Sequence, residues 1–152
     1  MLTLLKVELC LRPEDTNKNF YFSFGVGNAA KKLWIDFSYD PKNLADDEKA
    51  NEILEEGFRK YILPENRDEY EAMRSRFIPL VNLITISVDS PSGYVGAAHR
   101  HSHEQHNYIS FEDSTPGFCR CKIEPGQWKV CVSTHAVVTH ECHVTLIVTE
   151  EK

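Results

Sequence analysis

The most constraining feature of this sequence is an alternation of apolar and polar residues with a period of two, repeated in short runs along much of its length. Phe20, Phe22, Phe24 and Val26 fall on one face of an extended segment, and Leu33, Ile35, Phe37 and Tyr39 on one face of the next. Strand side chains point alternately to opposite sides, so such runs bury one face and wet the other. Val7, Leu9 and Leu11 alternate with Lys6, Glu8 and Cys10 near the start. Cys142, Val144, Leu146 and Val148 alternate with His143, Thr145 and Ile147 near the end. Further strands are expected at 80–88, 107–111, 117–123 and 128–134. The Asp89-Ser-Pro-Ser-Gly cluster, Pro116-Gly117 and Pro125-Gly126 supply turns between them. The expected fold is therefore mainly β, a β-sandwich or jelly roll of about eight strands.

The period changes once. Ala50, Ile53, Leu54, Gly57, Phe58 and Tyr61 recur at helical spacing on an otherwise charged segment. Asp40-Pro41 offers a cap and a first-turn proline for that helix, and Pro64 ends it. Asn66 with Glu69 resembles a capping box, ahead of a second helix carrying Tyr70, Met73 and Phe77. A helical insertion over about residues 43–76 is expected within a single domain spanning 1–152, a length usual for one domain.

Charge narrows the function classes. The formal net charge is −6, and between Asp46 and Arg76 ten acidic residues face six basic ones, so most of the excess lies on the insertion. No basic stripe suited to nucleic-acid phosphates is present, and no apolar run approaches the ~20 residues of a membrane span. The start, broken by Lys6 and Glu8, has neither a basic n-region nor a cleavage site, so no signal peptide is expected. The five cysteines are odd in number, and Cys119-Arg-Cys121 is neither a redox C-x-x-C nor a zinc ribbon. Reduced thiols in a cytoplasm are expected, with Cys131 and Cys142 as small buried side chains.

An ordered series of motifs runs through the second half: Asp89-Ser-Pro-Ser-Gly-Tyr-Val-Gly-Ala-Ala-His-Arg-His, then Thr115-Pro-Gly-Phe, Ile123-Glu-Pro-Gly-Gln-Trp-Lys-Val and Thr134-His-Ala-Val-Val-Thr. The series resembles the N-terminal β-sandwich domain that precedes the catalytic PHP domain of CehA/McbA-like metallohydrolases. The aromatic run Phe20 to Phe24 and the acidic helical insertion fit as well. The resemblance implies a sandwich fold. It does not imply hydrolase activity, because that family holds its metals in the PHP domain, which is expected to be absent from a chain ending at Lys152. Cys119-Arg-Cys stands where relatives are expected to be rich in proline and glycine. Gly93, Gly96, Gly117 and Gly126 are expected at turns with positive φ. Trp128 is expected in the core with a partner for its indole N–H.

The most suggestive chemistry is His99-Arg-His101-Ser-His103-Glu104-Gln-His106. In an extended segment His99, His101 and His103 share a face and, with Glu104 or His106, offer a site for a divalent transition metal. Gly93 followed after five residues by His99-x-His101 matches the start of a cupin metal motif. Glu104 then follows too soon, the later glycine is missing, and His135 or His140 would have to supply the distant ligand. The competing reading is a solvated loop in which His101 and His103 are surface side chains and His99 and Arg100 tie the loop to the sandwich. Ser133 with His135, the Cys119/Cys121 thiols, and Glu112 with Asp113 are further pairs, none with a complete set of catalytic partners.

The leading expectation is a non-catalytic accessory or recognition module that binds a protein partner or a small ligand and uses no cofactor, with a homodimer among the possible assemblies. The alternatives are a cupin-like metal-dependent enzyme built on His99, His101 and His103, and a separately encoded partner subunit of a PHP hydrolase.

Overall fold

The computed structural model describes residues 1–152. The chain opens with β1 (Leu2–Leu11), β2 (Lys18–Val26) and β3 (Lys32–Asp40), and the helices α1 (Asp47–Tyr61) and α2 (Arg67–Ala72) follow. It continues with β4 (Leu83–Ser90), β5 (Gly93–Ala98), β6 (Glu104–Ser110), β7 (Gly126–Ala136) and β8 (Cys142–Glu151). The strands form two four-stranded antiparallel sheets, ordered β1-β8-β3-β6 and β2-β7-β4-β5. The pairings β1·β8, β2·β7, β3·β6 and β4·β5 are those of one long hairpin. Rolling that hairpin adds the contacts β3·β8 and β4·β7, which is jelly-roll topology. The expected β-sandwich with a helical insertion is the observed fold.

Alternation decides which residues enter the core. Leu33, Ile35, Phe37 and Tyr39 of β3 are buried, as are Val144, Leu146 and Val148 of β8, and both rows face Ile84, Ile86, Val88, Trp128, Val130 and Val132 of the other sheet. Each such side chain contributes about 1.5–3 kcal/mol on leaving water. Trp128 is fully buried, and its indole Nε1–H donates to the Glu124 carbonyl at 2.9 Å. Gly93, Gly96, Gly117 and Gly126 all have positive φ.

The insertion leaves and re-enters on a short stalk in which Asn43 bridges Val81. Asn82, wholly buried, clamps its base. Its Nδ2 donates to the Pro41 carbonyl at 2.9 Å and to Thr139 Oγ1 at 2.8 Å, while its Oδ1 accepts from Val138 N–H at 2.7 Å. Leu44, Ala50, Leu54 and Phe58 are buried outside the main core cluster, and the Phe58, Tyr70 and Phe77 rings pack together at 5.9–6.5 Å. The helix does not start at Asp40-Pro41. Asp40 is used as the last residue of β3, and Asp46 caps α1 instead, accepting from Lys49 N–H at 3.0 Å. Asn66 makes no side-chain cap. Gly57 sits inside α1 where an added Cβ meets nothing within 4 Å. Gly57→Ala is therefore expected to raise the free energy of unfolding by about 0.5–1 kcal/mol, read by urea denaturation, because alanine loses less backbone freedom in a helix.

Two segments differ from the sequence expectation. Residues 117–123 form no strand; Gly117 has φ 102°, and Phe118 makes only a single bridge, to Gly96. Conversely, the Gly93-Tyr-Val-Gly-Ala-Ala stretch, low in β-branched residues, is strand β5. The two facts share a cause: Ala97 N–H donates to Gly117 O and Cys119 N–H to Val95 O, so the irregular segment covers the β5 edge. No helix is long and apolar enough to cross a membrane.

Candidate functional site

The strands run between two ends of the sandwich. At one end lie the insertion, the β5–β6 loop and the β7–β8 loop; at the other lie the β2–β3 and β6–β7 loops and the last residues of β8.

His99, His101 and His103 all fall on the irregular β5–β6 loop at the first end and are exposed. They are not on a strand, so the shared face expected of an extended segment does not form. The His99 ring lies 6.1 Å from the His135 ring, and His103 stands edge-on to Tyr39 at 6.2 Å. Their metal-binding atoms do not gather within 4.8 Å as a group of three. His106 is held elsewhere: its Nδ1 lies 2.8 Å from Asp36 Oδ1, a hydrogen bond that raises its pKa. Arg100 ties the loop down, donating to Asn107 Oδ1 at 3.2 Å and to the Pro116 carbonyl. His135 Nε2 is 2.8 Å from Thr85 Oγ1, so its partner is a threonine on β4 and not Ser133. The Cys121 thiol is pushed up by burial, and then by the Glu124 charge, opposite to what a nucleophile requires. Burial and Asp40 push Cys142 up to about 11.

The opposite end carries a cleft of about 600 Å³, within the range of small-molecule sites. Its walls come from the β2–β3 loop (Ala30, Lys31), the end of β6 with the following turn (Tyr108, Phe111) and Lys122-Ile123. Phe111 is 73% exposed, an uncommon position for a phenyl ring. Three ammonium groups, Lys31, Lys32 and Lys122, line the cleft, and none is in an ion pair. Lys32 Nζ lies 4.5 Å from both the Trp34 and Tyr108 ring centroids, a cation–π contact with two adjacent rings that holds its charge at the wall. Three carboxylates, Glu112, Asp113 and Glu151, also line the cleft, and the last two accept hydrogen bonds from neutral donors. Asp113 accepts from Tyr108 Oη–H at 2.6 Å and from Ser114 N–H at 2.8 Å, which lowers its pKa and raises that of Tyr108. Glu151 accepts from Trp34 Nε1–H at 2.8 Å. The cleft thus sets an exposed ring beside three lysines and three carboxylates, two of the carboxylates being held by hydrogen bonds.

A second constellation escapes a reading along the sequence. Cys10 of β1 lies directly opposite His143 of β8, and Asp40 of β3 lies opposite His143 on its other side. All three are exposed on the outer face of the sheet. Cys10 Sγ, a Glu141 oxygen and a His143 ring nitrogen lie within 4.8 Å of one another, the only such trio of potential ligands in the chain. The local signal is Glu141-Cys-His143, but its thiol partner stands more than 130 positions earlier and meets it only through the β1·β8 register. The cleft is equally hidden, because it gathers residues 30–32, 108, 110–113, 122–123 and 151.

No protein-family model and no curated protein matches this chain.

Proposed function

We propose that this jelly roll is a recognition module that binds a small organic anion with an aromatic or apolar body in the cleft between Lys31 and Lys122. The observation that carries the proposal is the juxtaposition of exposed Phe111 with three lysines, none of them in an ion pair, beside carboxylates of which Asp113 and Glu151 are held by Tyr108 and Trp34. An anionic group would neutralise those ammoniums, and its apolar portion would cover Phe111. The resemblance to the sandwich domain of CehA/McbA-like proteins supports a non-catalytic role, since its glycines and Trp128 serve turns and core packing.

Phenylacetate and its uncharged amide make a matched probe pair, followed by the fluorescence of Trp34, whose ring packs against Lys32 on the cleft wall. The acid is expected to bind about tenfold or more tightly than the amide, since hydrogen bonds to charged groups contribute about 1.5–3 kcal/mol. Lys122→Glu is expected to remove that preference, and Phe111→Ala to weaken both probes. Equal binding of acid and amide, or unchanged binding by both variants, would refute the proposal. Binding of an acidic peptide in place of the small anion would make the cleft a protein-docking site.

A further inference from the structure

We infer that Cys10, Glu141 and His143 form a binding site for a zinc-type divalent metal ion on the outer face of the β1·β8 ladder. Thiolate, imidazole and carboxylate form a donor set suited to Zn²⁺ or Co²⁺ and poorly suited to Mg²⁺ or Ca²⁺. The fold places these donors with little freedom. Directly opposed residues of an antiparallel pair have Cβ atoms about 4.5–5.5 Å apart, so Cys10 and His143 project side by side. Glu141 enters from the turn before β8. Its Oε1 accepts from Arg12 Nη2 at 3.3 Å, and Arg12 is two residues beyond Cys10. That contact leaves Oε2 turned toward His143 Nε2, 3.7 Å away. An N–O pair around a tetrahedral zinc ion sits about 3.4 Å apart, given metal bonds of about 2.0–2.2 Å. The observed spacing is thus close to that of a ligated pair before an ion draws it in. Arg12 acts as an orienting partner of the kind that fixes the carboxylates of metal sites.

Three protein donors leave a fourth position open to water or an external ligand. The site would also clip β1, an edge strand, to β8. It lies at the start of β8, whereas the cleft involves Glu151 at its end, about 26 Å away at roughly 3.3 Å per residue. The two proposals therefore stand or fall separately.

The test uses the full chain, stripped with a chelator and kept reduced with a phosphine, and titrated with Zn²⁺ alone and Co²⁺ alone. One equivalent of Zn²⁺ is expected to bind and raise the thermal midpoint, because an ion that binds the folded state stabilises it. Co²⁺ is expected to give a thiolate-to-cobalt charge-transfer band in the near ultraviolet. Cys10→Ser is expected to abolish that band. His143→Ala and Glu141→Gln are each expected to weaken Zn²⁺ binding, the histidine change by about tenfold or more, since removing even an outer partner of a ligand costs about that much. All three positions are at the surface, and a circular dichroism spectrum matching the parent's shows that each variant is folded. A triple His99→Ala, His101→Ala, His103→Ala variant is expected to bind as the parent does. The proposal is overturned if the parent gives no thiolate band, if Cys10→Ser or His143→Ala binds Zn²⁺ as tightly as the parent, or if only the triple loop variant loses the ion.

Discussion

Trp128→Ala is expected to lower the free energy of unfolding by about 3–5 kcal/mol, the usual range for truncating a large buried aromatic side chain. Trp128 is fully enclosed between the sheets at the β7 end that follows the Pro125-Gly126 turn. Val130, Val88 and Leu33, which share its core cluster, belong to strands paired on both sides, so they cannot collapse freely into the vacated space. The substitution also removes the donor that satisfies the Glu124 carbonyl. Trp128→Phe keeps most of the apolar area and loses only the N–H, so it is expected to cost about 1–3 kcal/mol, the size of an unmet buried hydrogen bond plus a partial void. Urea denaturation of the two variants separates packing from hydrogen bonding. A loss below 1 kcal/mol for the alanine variant would contradict the placement of Trp128 at the centre of the core.

Gly96→Ala is expected to be nearly as severe, at about 3 kcal/mol or more, for a different reason. Gly96 has φ +150°, and a Cβ there would lie 2.2 Å from the Gly117 carbonyl oxygen and 2.7 Å from Phe118 Cα. Both obstacles are backbone, so no side-chain rotation relieves the clash. The segment covering the β5 edge would have to lift, breaking the Ala97 N–H to Gly117 O and Cys119 N–H to Val95 O bonds. Gly93 supplies the control. Its φ is +130°, but an added Cβ there meets nothing within 4 Å. Gly93→Ala should therefore cost only the backbone strain, about 1–2 kcal/mol. Equal losses at the two positions would contradict the close approach at Gly96.

The same pair of glycines explains why part of the fold was legible in the sequence and part was not. β2, β3 and β8 announce themselves because each buries one face, and burial imposes the period of two that Phe20 to Val26, Leu33 to Tyr39 and Cys142 to Val148 display. β5 has no such pattern. Val95, Gly96, Ala97 and Ala98 are all buried, with the segment after Pro116 paired along the edge that β5 would otherwise expose. That cover is a tertiary fact with no local trace beyond the glycines, whose positive φ was expected. The helical insertion was legible from its apolar stripe, whereas its start was misplaced because a proline after an aspartate fits a strand end as well as a helix cap.

The functional candidates divide along the same line. The histidine run is conspicuous as a string of letters, yet it spreads along a loop whose rings face Tyr39, His135 and solvent. Both constellations that do converge draw on residues far apart in the chain, joined by the β1·β8 and β3·β8 ladders or by the crossing of three loops. A jelly roll pairs its first strand with its last, so sites on it are assembled from opposite ends of the sequence.

The proposed recognition of an organic anion in the lysine-lined cleft is tested most directly by a phenylacetate titration of the ¹⁵N-labelled chain followed by amide chemical shifts. Saturable changes are predicted to cluster at Ala30, Lys31, Lys32, Phe111, Lys122 and Ile123. Saturable changes centred on the β5–β6 loop, or none at all, would contradict it.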